Sequence, residues 1–192
     1  MTPTIDHAFI GERPPLSTAT LILILVCVVS VFCEPLAAQQ ESRPVNWDGF
    51  QFLVGTWVGD GSGNPGQGTG GFTFSFDLQN TILVRKNYAD YPATKDRPAF
   101  SHNDLMILYQ DGDRFRAVYF DNEQHVINYS VSFSKDPSAI VFLSDIASGT
   151  PRFRLTNVKQ GTDSMKISFE IAPPGQPESF KRYIDATARR VK

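Results

Sequence analysis

The amino-acid sequence predicts an all-β domain, an antiparallel up-and-down barrel of about ten strands. First, apolar residues recur at every second position in many short segments, such as FTFSFDL at 72–78, and this period is typical of strands with one buried face. Second, turn residues separate these segments at near-regular intervals, and no long helical pattern occurs. Because a long meander leaves two unpaired edges, closure into a barrel is the arrangement that hides them.

A short helix is predicted at the start of the domain. Asn46 is a suitable N-cap residue, and Phe50, Leu53 and Val54 share one face of the helix that follows. Gly55 ends it. We expect this apolar helix to close one end of the barrel.

The first strand is predicted to begin at Thr56–Val58 and to lead into a glycine-rich loop. Seven of the thirteen residues in 59–71 are glycine, and Pro65 lies among them. The segment contains the letters of a dinucleotide-binding pattern, but that pattern needs a helix directly after its last glycine. A strand pattern follows instead, so a flexible hairpin loop is expected.

Nine further strands are predicted downstream. Turn residues separate several of them, including Asp111–Asp113, Asp136–Pro137 and Pro173–Gly175. The proline-rich segment 92–98 is predicted to be a loop. The predicted strands cover residues 72–78, 81–91, 102–110, 114–121, 125–134, 140–145, 152–158, 165–171 and 180–188.

Charge and cysteine content exclude several classes of function. The chain of 192 residues carries a formal net charge of −2. One of its 18 basic and three of its 20 acidic residues lie in 1–38, so the remainder has no net charge. Without a basic face, nucleic acid is not an expected partner. Both cysteines, Cys27 and Cys33, also lie in 1–38, which excludes a disulfide or a cysteine-ligated metal from the rest of the chain.

The N-terminal segment predicts export. Residues 16–33 are eighteen consecutive residues without a charge, and small residues follow up to Ala38. This pattern favours a secretory signal peptide spanning 1–38. An uncleaved membrane anchor is the alternative, because eighteen residues just reach spanning length. Either way, 39–45 is a linker, the barrel domain spans 46–192 outside the cytoplasm, and only an uncleaved leader would contact a membrane.

The motif Gly55-Thr56-Trp57, after a short helix and at the start of strand one, resembles the G-x-W signature of lipocalin-type (calycin) barrels. The resemblance implies that Trp57 packs across the closed end of the barrel, under an arginine from the last strand. Arg189 and Arg190 are the two candidates for this structural role. Such a cation–π contact contributes about 0.5–2 kcal/mol.

The longer string LVGTWVGDGSG at 53–63 resembles nitrobindin-type proteins. Segments 116–129, 142–145 and 151–156 resemble related secreted bacterial domains of unknown function. Nitrobindin-type proteins imply a haem held by a histidine near the C-terminus. This chain has no histidine after His125, so no cofactor is expected by that route.

A binding site is predicted on the hairpin formed by strands 114–121 and 125–134. If Asn122–Glu123 is a two-residue turn, Phe120 pairs with His125 and Arg116 with Tyr129. Paired residues share a face of the sheet, and this one is apolar with three polar groups. Turned inward, Arg116 would anchor an anionic or carbonyl group that His125 and Tyr129 hydrogen-bond. In the alternative, Arg116 and Tyr129 form an exposed cross-strand pair.

Arg152 and Arg154 are further candidates for ligand binding. They alternate with Phe153 and Leu155, so both arginines lie on one face of their strand. In one interpretation both arginines lie on the outer wall of the barrel. On an inner wall they would resemble the arginines that bind fatty-acid carboxylates in related barrels. No metal site is expected, because the domain offers only two histidines, His102 and His125, and no cysteine.

The sequence therefore predicts an exported barrel that binds a small apolar or amphipathic ligand. One alternative is an enzyme of cyclase or isomerase type in the same cavity, with Tyr129 or His125 as acid–base and Arg116 as electrostatic stabiliser. Another is a structural or envelope-interaction protein whose interior is packed solid, since the chain has 15 phenylalanines. A cavity of several hundred Å³ would favour ligand binding.

Overall fold

The barrel is closed and contains ten antiparallel strands. A computed structural model describes residues 44–63, 68–135 and 138–192, and Pro44–Lys192 is one compact unit. Each strand pairs with its neighbours in sequence, and β1 also pairs with β10. The prediction of an all-β, up-and-down barrel of about ten strands is thus confirmed. The elements are a 3₁₀ helix at Asp48–Leu53 and strands β1 Gly55–Gly63, β2 Thr69–Asp77, β3 Ile82–Tyr91, β4 Phe100–Asp111, β5 Arg114–Asp121, β6 Val126–Phe133, β7 Ala139–Ser144, β8 Arg152–Lys159, β9 Ser164–Ala172 and β10 Lys181–Arg190.

The predicted leader and most of the linker lie outside the described residues. Among the residues that the structure covers, no helix has the length and apolar character needed to cross a membrane.

Alternation along the strands separates the interior of the barrel from its surface. On β4, Asp104, Met106 and Leu108 are buried, whereas Leu105 and Ile107 between them keep partial exposure. This period of two follows from the geometry of a strand, in which successive side chains point to opposite faces. The polar Asp104 therefore lies on the same inward face as the core residues beside it.

Aromatic residues fill one end of the barrel, beside the 3₁₀ helix and the β4–β5 turn; we call this the helix end. Phe50 is 1% exposed, and its ring centroid lies 4.7 Å from that of Phe115 and 5.0 Å from that of Phe133. Trp47 packs beside them and donates from Nε1 to the backbone oxygen of Asn80, 2.7 Å away. The opposite end carries the β3–β4, β5–β6, β7–β8 and β9–β10 loops, and we call it the loop end.

Trp57 lies in the interior under an arginine. The residue is 1% exposed, and its Nε1 donates a hydrogen bond to the backbone oxygen of Leu53 at 2.8 Å. Of the two candidate arginines, Arg190 covers the ring, with its guanidinium carbon 4.3 Å from the ring centroid. Arg190 also donates to the backbone oxygens of Phe52 and Val54. Arg189 is exposed, because neighbouring residues of β10 face opposite sides of the sheet.

The glycine-rich segment forms more strand than the sequence predicts. The ladder of β1 continues to Gly63 and that of β2 starts at Thr69, so most of the predicted loop at 59–71 is paired. Glycine is required there for close packing: a Cβ on Gly71 would lie 2.5 Å from the backbone oxygen of Trp57.

The predicted register of the β5–β6 hairpin is wrong by one residue. Phe120 pairs with Val126, and Arg116 pairs with Ser130. The connection contains an additional residue, Gln124, in the left-handed conformation with φ of 71°, as in hairpins whose turn is followed by a bulge. A shift of one residue moves a strand's side chains to the opposite face, so the predicted four-residue site is divided between the two faces.

Candidate functional site

The loop end of the barrel contains a cavity of about 500 Å³. Its wall comes mainly from the inward faces of the strands, joined at the mouth by Glu123 and His125 from the β5–β6 connection. Large apolar side chains form most of this wall, and Phe153 and Phe169 stack with ring centroids 5.8 Å apart. The apolar lining residues include Phe72, Met106, Ile127, Phe153, Leu155, Ile167, Phe169 and Ile184.

Hydrogen-bonding side chains are concentrated on the wall formed by β3, β4 and β5. Asp104 is the central residue and is 9% exposed. Its carboxylate accepts hydrogen bonds from Nη1 of Arg85 at 2.5 Å and from Nδ2 of Asn87 at 2.7 Å. The inward faces of adjacent strands bring these residues together, because Asp104 pairs in register with Asn87 and Arg85 pairs with Met106. The arginine compensates the buried negative charge.

His102 joins this wall to the mouth of the cavity. Its Nε2 lies 3.0 Å from the hydroxyl oxygen of Tyr119 and 3.5 Å from Asp104, and its Nδ1 lies 2.8 Å from Glu123. Attraction to Asp104, with a further contribution from Glu123, raises the pKa of His102 to about 9 against the opposing effect of burial. At neutral pH the ring is therefore a cation that donates from both nitrogens.

The hydroxyl of Tyr119 forms hydrogen bonds with both His102 and Asp121. Burial and the carboxylates of Asp104 and Asp121 raise the pKa of the Tyr119 phenol well above its usual value. The hydroxyl thus stays protonated, accepts from His102 and donates to Oδ2 of Asp121 at 3.2 Å. The chain of hydrogen bonds has one consistent direction, from the imidazolium to the carboxylate.

Asp121 is the last residue of β5 and pairs in register with Asp104 of β4. Burial alone would raise its pKa, but hydrogen bonds from the backbone and side chain of His125 and from the backbone of Glu123 lower it below the usual value. Like charges directly opposite each other destabilise a sheet. The cations of Arg85 and His102 offset this repulsion here.

Tyr129 is almost completely enclosed in the cavity wall and is 2% exposed. Its ring packs edge-on against those of Tyr119 and Phe142, with centroids 6.4 Å away in each case. Burial raises the pKa of its phenol above the ordinary value, and so do Asp104 and Asp121, while Arg85 opposes the change. The hydroxyl of Tyr129 therefore stays protonated in the wall of the cavity.

Comparison with known proteins identifies the fold. No protein-family model matches the chain, and no curated protein matches its sequence. The chain is similar to Rv2717c from M. tuberculosis, with a TM-score of 0.54 and 14% sequence identity over 76% of this chain and 97% of that one. At this identity the likeness shows the barrel fold alone. The fold is consistent with the resemblance to lipocalin-type barrels, and the narrower resemblance to nitrobindin stays a prediction.

Two further solved structures align with lower scores. The S-type phycobiliprotein lyase CPES from Guillardia theta has a TM-score of 0.47 and 9% identity over 74% of this chain and 90% of that one. A de novo designed, fluorescence-activating β barrel has a TM-score of 0.38 and 12% identity over 73% of this chain and 95% of that one.

The structure divides the predicted hairpin site. Tyr129 and His125 line the cavity, but Arg116 and Phe120 lie on the outer face. Phe120 is 39% exposed. Arg116 donates to Asp145 at 2.7 Å and to the hydroxyl of Ser130 at 2.7 Å. The predicted inward face containing Arg116 is thus incorrect, and the reason is the additional loop residue Gln124.

Arg152 and Arg154 also lie on the outside of the barrel. Phe153 and Leu155, which alternate with them, line the cavity. Arg154 donates to Glu170 at 2.7 Å, and this hydrogen bond lowers the pKa of Glu170. Arg152 pairs with Glu178 in the β9–β10 loop. The outer-wall reading is therefore the one that matches the structure.

The polar wall contains residues that the sequence analysis missed. The predicted site does not contain Arg85, Asn87, Asp104 or Tyr119, and the sequence analysis names His102 only as one of the two histidines of the domain. A signal was present on β4, where Asp104 and His102 continue the inward alternation of Leu108 and Met106. Among the residues that the structure describes, no group of three or more histidines, cysteines or acidic residues is arranged to hold a metal ion.

Proposed function

We propose that the protein binds a small amphipathic molecule inside the barrel. The observation that carries the proposal is the cavity of about 500 Å³ with apolar walls and one group of hydrogen-bonding side chains. Ligand sites in proteins typically combine an apolar lining with a few polar groups that orient the ligand. The apolar body of the ligand would lie against Phe153 and Phe169, and its polar atoms would face Arg85 and Tyr129.

The cavity favours this proposal over a solid-cored scaffold. Aromatic side chains fill the helix end, where Trp47, Phe50 and Phe115 pack together, but they leave space at the loop end. The enzymatic alternative relied on Arg116 beside Tyr129, and these two side chains lie on opposite faces of the sheet. Ligand binding needs no such pair.

A neutral fluorescent probe, N-phenyl-1-naphthylamine, tests the proposal with the full chain. We expect its fluorescence to rise on binding. Ala186→Trp, on a cavity-lining residue of β10, should lower the affinity by about tenfold or more, because the indole fills space that the probe needs. Thr187→Trp places the same side chain at the adjacent, exposed position and should leave the affinity unchanged. No fluorescence increase, or equal effects of the two variants, would contradict ligand binding in the cavity.

We also propose that the 3₁₀ helix closes the helix end and that the barrel is related to nitrobindin-type proteins. Burial of Phe50 and Leu53 among the core residues supports the first part. The second part rests on the string at 53–63 and on the arrangement of Trp57 under Arg190.

Export of the domain is a further part of the proposal. It is supported by the uncharged run at 16–33 and by the small residues up to Ala38. Fractionation of expressing cells, with mass spectrometry of the purified chain, provides the test. A chain that begins at Gln39 outside the cytoplasm would indicate cleavage, whereas a full-length chain in the membrane fraction would indicate an anchor. A full-length chain in the cytoplasm would refute export.

A further inference from the structure

The Tyr129 hydroxyl is a polar group in the wall of the cavity. The residue is 2% exposed and lines the cavity, and no hydrogen bond joins its hydroxyl to another described residue. The oxygen is not completely enclosed by protein, so it can hydrogen-bond to a molecule in the cavity. A polar atom of a ligand would satisfy it there.

Arg85 provides a second donor group in the same cavity. The polar wall reaches Tyr129 through Tyr119, whose ring centroid lies 6.4 Å from that of Tyr129 and whose hydroxyl contacts His102. One nitrogen of Arg85 donates to Asp104 of this wall, but a guanidinium carries five N–H donors. We call Tyr129 and Arg85 the donor pair, because both offer donors to oxygen acceptors in the cavity.

The charge of the wall disfavours an anionic head group. Arg85 is the single lysine or arginine among the described lining residues, and its charge is already compensated by Asp104. His102 is likewise held between Asp104 and Glu123. A carboxylate entering the cavity would meet three carboxylates, since Asp121 also lines it, without an unpaired cation to offset its loss of hydration.

A cationic head group fits the donor pair no better. An ammonium group has donors and no acceptor, so it cannot accept a hydrogen bond from either Tyr129 or Arg85. The three carboxylates of the wall already have partners, since Asp104 binds Arg85, Glu123 binds His102 and Asp121 binds His125, so none of them is left for an ammonium group. The remaining chemistry is an uncharged acceptor.

We propose that the ligand presents a neutral carbonyl oxygen, of a ketone or an amide, to the Tyr129 hydroxyl and the Arg85 guanidinium. The inference rests on the proposed function and adds to it the class of head group. The carbonyl accepts hydrogen bonds from both residues, and the apolar remainder of the ligand lies against the aromatic wall.

Four naphthalene compounds that differ only in their substituent test the inference by displacement of N-phenyl-1-naphthylamine from the full chain at pH 7. They are 2-acetonaphthone, 2-ethylnaphthalene, 2-naphthoate and 2-naphthylmethylammonium. We expect the ketone to bind about fivefold tighter than the ethyl compound, as one net hydrogen bond provides. The carboxylate and the ammonium should bind at least about tenfold more weakly than the ketone.

Tyr129→Phe should remove the advantage of the ketone and leave the affinity for 2-ethylnaphthalene unchanged. Tyr109→Phe is the matched control, because Tyr109 pairs with the outward-facing Arg116 on the outer wall; it should change neither affinity. Equal binding of ketone and ethyl compound, tightest binding of the carboxylate or the ammonium, or an unaltered ketone affinity in Tyr129→Phe would overturn the inference while the proposed function stands. Failure of the probe and all four compounds to bind would overturn both.

Discussion

Replacing Asp104 by asparagine tests the electrostatics of the polar wall. The change removes a charge without altering the size of the side chain, so Arg85 and His102 lose the carboxylate that they share. Arg85 is only 14% exposed, and Asp104 is 4% exposed in its side chain. Breaking a buried ion pair by removing one partner costs about 3–5 kcal/mol. Because Arg85 keeps some contact with solvent, we expect the free energy of unfolding to fall by about 3 kcal/mol at pH 7.

The same variant should change how stability depends on pH. The pKa of His102 is raised from 6.5 to about 9 in the folded protein. A group with a raised folded pKa contributes its full stabilisation below the unfolded value and loses it as the pH rises through the folded one. We therefore expect wild-type stability to decrease between pH 6.5 and 9, by up to about 3 kcal/mol. In Asp104→Asn the pKa of His102 should fall and this decrease should become smaller.

Urea unfolding followed by circular dichroism measures the stability, and NMR titration of the His102 ring measures its pKa. Asp145→Asn is the matched control, because it breaks an Arg–Asp pair of 2.7 Å in which Arg116 is 25% and Asp145 50% exposed. Exposed pairs contribute about 0–1 kcal/mol. Equal losses in the two variants, or an unchanged His102 pKa in Asp104→Asn, would refute the proposed role of Asp104.

Three further substitutions test the rest of the barrel by the same unfolding measurement. Arg190→Met should lower the free energy of unfolding by about 2 kcal/mol, because it removes the cation over Trp57 and its bonds to backbone oxygens. Arg189→Met should lower it by less than about 0.5 kcal/mol. Equal losses would contradict the placement of Arg190, rather than Arg189, over Trp57. Phe50→Ala should cost about 3–5 kcal/mol; a loss below about 1 kcal/mol would show that the helix end is poorly packed. Gln79→Gly should raise the free energy of unfolding by about 0.5–1 kcal/mol, because Gln79 has a φ of 57°, in the left-handed region that glycine adopts most readily. A decrease in this free energy would argue against backbone strain at the turn.

Much of the fold could be read from local patterns. Each strand must bury one face, so its apolar residues recur with a period of two, and the turns between strands use residues that favour turns. The sequence therefore predicted the number of strands, and the interpretation that places Arg152 and Arg154 on the outer wall puts Phe153 and Leu155 inside, where they line the cavity. The glycine-rich segment was predicted less well, because Gly70 and Gly71 lie in tight strand packing rather than in a free loop.

The candidate site was harder to predict because it depends on register. One left-handed residue, Gln124, shifts the β5–β6 pairing and moves Arg116 from the predicted interior to the surface. No pattern within the strands reveals that shift, since a loop of two residues and a loop of three are both compatible with the same alternation. Tyr129 and His125 line the cavity, as one of the two interpretations of the hairpin predicted, but the predicted register is wrong.

The sequence by itself determined that the chain forms an antiparallel barrel, because that follows from short-range periodicity. The resemblance to lipocalin-type barrels implied an arginine over Trp57 and left Arg189 and Arg190 as candidates. Only the tertiary structure decided which polar groups meet inside. Arg85, Asp104 and Tyr119 belong to three different strands, and their contacts depend on the alignment of each strand with the next. Hydrogen bonds of a few ångströms require that alignment to be correct to a single residue, whereas burial of an apolar face requires only the correct alternation.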